Sequence, residues 1–130
     1  MEFDAVRQVW IVEDEPDAAA LAAELCRGSG VEPTVFRAPL PFLAALRSDD
    51  PPAAVVLDWR LEHELSAALF LATRHRFPAM RVVYWTGIPA DLLPGMIRAD
   101  AGTRIVDKAA GALAFEAAVR WAVGGAMPAG

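Results

Sequence analysis

Short apolar runs alternate with amphipathic stretches along this chain of 130 residues. Five of the runs are rich in β-branched or aromatic residues and are bounded by turn residues, which is typical of strands. They are Gln8–Val12, Thr34–Phe36, Ala53–Leu57, Arg81–Trp85 and Arg104–Val106. The runs VWIV and AAVVL have no polar face. This pattern indicates strands of a parallel sheet that is covered by helices on both sides.

Between the strands, apolar residues recur at i, i+3, i+4 and i+7, the spacing of an amphipathic helix. Three helices are predicted around Ala18, Leu21, Ala22 and Leu25; around Leu65, Ala68, Leu69 and Ala72; and around Phe115, Ala118, Val119 and Ala122. Gly28 and Gly30 are expected to end the first of them. Pro39–Arg47 predicts a short helix with prolines near its start. Pro94–Gly95 predicts a fourth helix that is kinked or begins late, near Pro94.

Strands and helices in alternation indicate an α/β, flavodoxin-like (βα)5 fold. Its sheet would be five-stranded, parallel and doubly wound, with strand order 2-1-3-4-5. The length suits a single domain with one sizeable core. We expect that domain to span residues 1–124, and residues 125–130 to form a C-terminal tail or the start of a linker. In this strand order, ligands bind outside the carboxyl ends of strands one and three.

Composition narrows the functional classes. No apolar run approaches the length of a membrane span, and the opening residues MEFDAVRQ lack the basic region of a signal peptide. The single cysteine, Cys26, excludes an internal disulfide framework and fits a reducing compartment. A cytoplasmic domain without membrane association is therefore expected. The net charge of −5 argues against direct contact with nucleic acid.

Chemically competent side chains gather at the predicted strand ends. Glu13 and Asp14 follow strand one, Asp58 follows strand three, Thr86 ends strand four and Lys108 lies just after strand five. Three converging carboxylates repel one another and need a counterion, and such hard oxygen ligands suit Mg²⁺. With a hydroxyl and an ammonium beside them, they predict a site that handles a phosphoryl group, with a carboxylate as nucleophile.

The segments VWIVEDE, AAVVLDWRL, RVVYWTG and RIVDK, in this order and at these distances, resemble the receiver domain of bacterial two-component response regulators. The resemblance covers about Val9 to Val123. It implies a phosphoprotein of phosphorelay signal transduction, with a histidine kinase or phosphotransfer protein as phosphodonor. It also implies a downstream protein partner or output domain, and a homodimer through the face of the fourth helix, fifth strand and fifth helix. Such a chain catalyses only its own phosphotransfer and, at most, its own dephosphorylation, so it is not expected to be an enzyme.

The resemblance implies a role for each acid of the site. Asp58 would be the phosphoacceptor. Asp14 would bind Mg²⁺ directly and Glu13 mainly through water, with Asp58 and the backbone carbonyl of Arg60 as further ligands. A Mg²⁺-dependent phosphatase that uses Asp58 as nucleophile is disfavoured. The phosphatases that resemble this chain have a second Asp two residues after the nucleophile, and this chain has Arg60 there.

The resemblance also assigns the groups that meet the phosphoryl group. Thr86 would form a hydrogen bond with it and Lys108 would pair with it. Lys108 is the only lysine among 12 basic residues, and its compact ammonium is not interchangeable with a guanidinium. Thr86 and Ile105 would form the switch, although receivers usually have Tyr or Phe where Ile105 stands.

Two further departures from the receiver pattern lie in loops. Ala109 follows Lys108 where receivers usually have proline after a cis bond, and a trans bond is expected here because a cis bond before another residue costs about 3 kcal/mol. Glu62, His63 and Glu64 replace the usual Leu-Pro and glycine pattern, so the third helix is expected to start earlier. The missing proline at Ala109 and the missing aromatic at Ile105 keep an alternative open: a pseudo-receiver, which is a phosphorylation-independent protein-interaction module.

The remaining polar and aromatic residues have simpler interpretations. Glu15 and Asp17 are expected to be charges at a helix N-terminus rather than ligands. His63 and His75 are interpreted as surface residues, and Cys26 as core. Two tryptophans, Trp59 and Trp85, are expected to pack near the site.

Overall fold

Five parallel strands form one sheet in the computed structural model, which describes residues 7–61 and 64–125. The strands are β1 (Gln8–Val12), β2 (Glu32–Phe36), β3 (Ala54–Leu57), β4 (Arg81–Thr86) and β5 (Thr103–Asp107). Their order in the sheet is 2-1-3-4-5, and each neighbouring pair is parallel. The predicted strand order and fold class are therefore confirmed.

Five helices cover the sheet. They are α1 (Pro16–Gly28), α2 (Pro39–Ala45), α3 (Ala67–Arg76), α4 (Gly95–Arg98) and α5 (Ala112–Gly125). One face of the sheet packs with α1 and α5 into a core that contains Val9, Cys26 and Phe115. The other face packs with α2, α3 and α4 into a core that contains Trp10 and Phe42. Both faces of the central strands are therefore buried, as the unbroken apolar runs predicted.

The buried face of α1 differs from the predicted one. Its buried residues are Ala19, Ala22, Ala23 and Cys26, whereas Leu21 is 45% exposed. Small side chains on the inner face let a helix approach the strands closely, so the alanines take the positions that hydrophobicity alone had assigned to leucines. Cys26 is fully buried, as expected.

The connection from β3 to α3 also departs from expectation. Arg60–Leu61 pairs antiparallel with Glu64–Leu65, and α3 begins only at Ala67, so the expected earlier start is wrong. Glu62 and His63 lie outside the described residues. The buried Ser66 explains the late start: its N–H donates to Trp59 O over 2.9 Å, and its hydroxyl contacts the Tyr84 hydroxyl at 3.1 Å. These bonds fix the loop before the helix begins.

The start of α4 and the end of α5 compare differently with the predictions. α4 is a single turn from Gly95, capped by Pro94, which confirms the late start. α5 continues to Gly125 although Gly124 indicated its end, while residues 126–130 of the predicted tail lie outside the described residues. The domain limits stay a prediction. No helix in the described part of the chain is long and apolar enough to cross a membrane.

Candidate functional site

Three carboxylates converge at the carboxyl ends of β1 and β3, as their positions in the sequence predicted. Glu13, Asp14 and Asp58 each place an oxygen within 4.8 Å of the others. Glu13 is 1% exposed, Asp58 is 8% exposed and Asp14 is half-buried. Asp58 N–H donates to Val12 O over 3.3 Å, which extends the pairing of β1 and β3 by one residue. Backbone pairing therefore holds the acids side by side despite their repulsion.

Lys108 supplies the counterion of this cluster. Its Nζ lies 2.7 Å from Glu13 Oε1 and 3.1 Å from Asp58 Oδ2. Asp107 fixes the start of the turn that holds Lys108, because its Oδ1 accepts a 2.8 Å bond from Ala109 N–H. Peptide bonds throughout the described residues are trans, so Lys108 reaches Asp58 across a trans bond to Ala109.

Burial and charge have opposite effects on this cluster. Burial raises the pKa of Glu13, the bond from Lys108 lowers it in part, and the nearby charge of Asp58 raises it again. Burial alone would lower the pKa of Lys108, but its contacts with Glu13 and Asp58 outweigh burial and raise that pKa. Lys108 therefore stays charged at neutral pH. Because the pKa of Glu13 is raised in the folded state, ionisation of Glu13 lowers the stability of the fold.

Glu13→Gln is expected to gain stability relative to the native chain as the pH rises. A carboxyl whose folded pKa is raised binds its proton more tightly in the folded state, so its contribution to stability is lost above its ordinary pKa of 4.5. Urea unfolding without divalent metal, from about pH 4 to about pH 7, measures the difference in the free energy of unfolding between Glu13→Gln and the native protein. Glu24→Gln, on the exposed side of α1, controls for the loss of one negative charge. A difference that shifts in favour of the native protein as the pH rises would contradict the expectation.

Thr86 and Ile105, the predicted switch residues, lie on β4, which neighbours β3, and on the edge strand β5. Thr86 is buried and pairs with Asp107 in the register of β4 and β5. Its Oγ1 accepts a 3.3 Å bond from Ile88 N–H, which leaves the hydroxyl proton available to donate. Ile105 is half-buried and pairs with Tyr84. An aromatic ring is therefore present on the neighbouring strand, and the switch role of both residues stays a prediction.

The donor set suits a hard divalent cation. Carboxylate oxygens are the ligands that Mg²⁺ prefers, and three of them point to one position here. The backbone on one side of the site is held by Arg37, whose Nη2 donates to Asp14 O over 3.0 Å. On the other side, Arg60 N–H lies 3.4 Å from Asp58 Oδ1, while the Arg60 side chain is exposed. The residues present therefore fit Mg²⁺, and the carbonyl of Arg60 as a ligand stays a prediction.

Comparison with known proteins gives one clear result. No protein-family model and no curated protein matches the chain. Among solved structures, a response regulator receiver protein from Sinorhizobium medicae superposes with a TM-score of 0.82 at 17% identity, covering 94% of this chain and 98% of that one. A CheY-like receiver domain protein from Methanospirillum hungatei gives 0.80 at 15% identity, covering 94% and 97%. The chain has the receiver fold.

A third receiver structure bears on the metal. The receiver domain of a sensor histidine kinase from Pseudomonas aeruginosa superposes with a TM-score of 0.74 at 16% identity, covering 92% of this chain and 99% of that one. That protein has a magnesium ion coordinated in its active-site cleft. In the receiver fold of this chain, the acidic cluster lies at the carboxyl edge of the sheet.

The structure also places the acids at the start of α1 and one of the two histidines where they were expected. Glu15 is the N-cap of α1, and its side chain accepts bonds from Asp17 N–H at 3.1 Å and Ala18 N–H at 2.6 Å. His75 is exposed, whereas His63 lies outside the described residues. No sequence pattern predicted that Arg37 donates a hydrogen bond to the backbone oxygen of Asp14. The pairing of the buried Ser66 with Tyr84 was also missed, because side-chain contacts across a fold leave no local pattern.

Proposed function

We propose that this domain is a phosphoacceptor signalling switch of a two-component phosphorelay, with Asp58 as the residue that is phosphorylated. The observation that supports it best is the position of Lys108. On a receiver fold, its ammonium contacts Asp58 from inside a cluster of three acids. A purely structural ion pair would not need two further carboxylates at the same point.

The proposed reaction follows from the contacts of Asp58. A carboxylate oxygen of Asp58 attacks the phosphorus of a phosphohistidine. The P–N bond breaks, its electron pair stays on the leaving imidazole, and an acyl phosphate forms on Asp58. Lys108 and the hydroxyl of Thr86 are placed to meet the phosphoryl oxygens. Mg²⁺ held by Asp14 and Asp58, with Glu13 mainly through water, would neutralise further charge on those oxygens.

Phosphorylation would then change the affinity of the domain for a protein partner. A coupling of about 1–3 kcal/mol between two sites is typical of such switches. Under this proposal the phosphodonor is a histidine kinase or phosphotransfer protein of the cytoplasm, and the domain is not an enzyme, since it modifies only itself. Thr86 and Ile105 would transmit the change toward α4 and α5, whose face is also the candidate surface for a homodimer.

Intact mass after incubation with acetyl phosphate tests the proposal directly. We expect the native protein to gain one phosphoryl group only when Mg²⁺ is present, and Asp58→Asn to gain none. Asp50→Asn is the matched control, because Asp50 is exposed in the loop before β3, at the other end of the strand from Asp58. It should take up the phosphoryl group as the native protein does. A gain that persists in Asp58→Asn would place the phosphoryl group elsewhere and overturn the assignment.

The same experiment distinguishes the proposed switch from the alternative, a pseudo-receiver. Tryptophan fluorescence reports Mg²⁺ binding independently, because Trp59 is buried next to Asp58. Metal binding without phosphoryl uptake would favour the pseudo-receiver, a phosphorylation-independent interaction module with the same fold.

A further inference from the structure

Trp85 places an aromatic ring beside the only lysine of the chain. It lies on β4 directly before Thr86 and is 4% exposed. The Nζ of Lys108 is 5.2 Å from the centroid of its ring. Phe115 of α5 packs against Trp85 with a centroid distance of 4.8 Å. An aromatic pair therefore extends from α5 to the ammonium of the site.

The indole N–H does not explain why a tryptophan is present. Trp85 Nε1 is buried, and it has no hydrogen-bond partner in the part of the chain that the structure describes. Buried tryptophans usually have a partner for this donor, and leaving it unpaired is unfavourable. The feature of Trp85 that does meet another polar group is its ring, which attracts a cation placed within about 6 Å of its centroid.

The ring is the third contact of the Lys108 ammonium. It lies between two carboxylates at unequal distances, 2.7 Å to Glu13 and 3.1 Å to Asp58. A flexible four-carbon stem and a compact head let a lysine move entirely to the nearer acid. The Trp85 ring beside the ammonium limits that movement, because it attracts the charge.

We propose that Trp85 is a positioning residue, which uses its ring to hold the Lys108 ammonium between Glu13 and Asp58. This inference deepens the proposed function, because it rests on Lys108 assisting phosphoryl transfer to Asp58. It distinguishes Trp85 from ordinary core packing, for which an aliphatic side chain of similar bulk would serve equally well.

Nuclear magnetic resonance tests the contact without any phosphorylation. Since Lys108 is the only lysine, protein labelled with ¹³C-lysine gives a single set of Hε signals. A ring current shifts nuclei near the face of an aromatic ring upfield. We expect the Hε signals to lie upfield in the native protein, to stay partly shifted in Trp85→Phe, and to move to the random-coil position in Trp85→Leu. Unshifted signals in the native protein would overturn the proposal.

Phosphorylation rates with acetyl phosphate test the consequence. We expect Trp85→Leu to react roughly 3- to 30-fold more slowly than the native protein, as the loss of a partly desolvated cation–π contact predicts. Trp85→Phe should retain most of the rate, because it keeps a ring. In a Lys108→Ala background, Trp85→Leu should cause no further loss. Trp10→Leu, in the core on the other face of the sheet, is the matched control and should leave the rate unchanged.

The outcomes separate this inference from the function on which it rests. Equal rates for the Phe and Leu variants, or a loss of rate that persists in the Lys108→Ala background, would show that Trp85 only packs. A native protein that takes up no phosphoryl group would refute the proposed function, and the Hε shifts would then decide the positioning of Lys108 by themselves.

Discussion

Lys108→Ala is expected to slow phosphoryl uptake at Asp58 by at least about 100-fold, the usual loss when a preorganised charged donor is removed from the reacting group. Two features make Lys108 hard to replace. Its ammonium is the only cation that contacts both Glu13 and Asp58 among the described residues. It is also compact enough to fit between them. Lys108→Arg restores the charge but not the shape, so we expect it to recover only a small part of the rate.

The rate is measured as the growth of the phosphorylated species by intact mass, at fixed acetyl phosphate and saturating Mg²⁺. Mg²⁺ binding, followed by tryptophan fluorescence, shows whether each variant keeps its metal site. Arg104→Ala, an exposed cation on β5, controls for the change in net charge and should react at the native rate. A native rate in Lys108→Arg would mean that positive charge alone suffices. A native rate in Lys108→Ala would remove Lys108 from the mechanism.

The convergence of the acids could be predicted because it depends on order along the chain. Short β-branched runs predict the strands, and strand order 2-1-3-4-5 brings the residues after β1 and β3 together. Glu13 and Asp58 therefore had to be neighbours once the fold was assigned. Lys108 followed from the same reasoning applied to β5. Nothing in this step required knowledge of a side-chain rotamer.

The start of α3 could not be predicted, because a contact distant in sequence decides it. The spacing of apolar residues favoured a helix that includes Leu65, but Leu65 belongs to the short antiparallel pair. Ser66 is bonded to Tyr84, 18 residues further along the chain. Local spacing contains no information about that bond, and a buried hydroxyl pair outweighs the small helix propensity of one or two residues.

The ring of Tyr84 was missed for a similar reason. Receivers usually have Tyr or Phe where Ile105 stands, and Tyr84 is the direct partner of Ile105 on the next strand. Tyr84 is fully buried, and burial raises the pKa of its hydroxyl, so this group stays protonated. Cross-strand register decides which residues share a place in the sheet, and register cannot be derived from either strand alone.

Arg74→Ala is expected to lower the free energy of unfolding by about 2–3 kcal/mol, the typical cost of removing a charged donor from partly buried partners. Arg74 joins the end of α3 to the segments before β4 and β5. Its Nη1 donates to the backbone oxygens of Phe77, Pro78 and Met80, and its Nη2 lies 2.7 Å from Asp100 Oδ2. Both charged side chains of the pair are only 21% exposed, so solvent screens this ion pair less than an open surface pair.

Arg76, two residues further along the same helix, is the matched control. Its Nη2 is 3.8 Å from Asp49 Oδ1, on a fully exposed side chain, and it donates one exposed bond to Ser48 O over 3.0 Å. Arg76→Ala should therefore change stability far less than Arg74→Ala in the same urea titration. Arg74→Lys should be intermediate, because a single ammonium cannot reach the carbonyls and Asp100 together as a planar guanidinium does. Equal losses for Arg74→Ala and Arg76→Ala would mean that the network adds nothing beyond a surface charge. A full loss in Arg74→Lys would instead show that the geometry of the guanidinium, and not its charge, links α3 to the two strands.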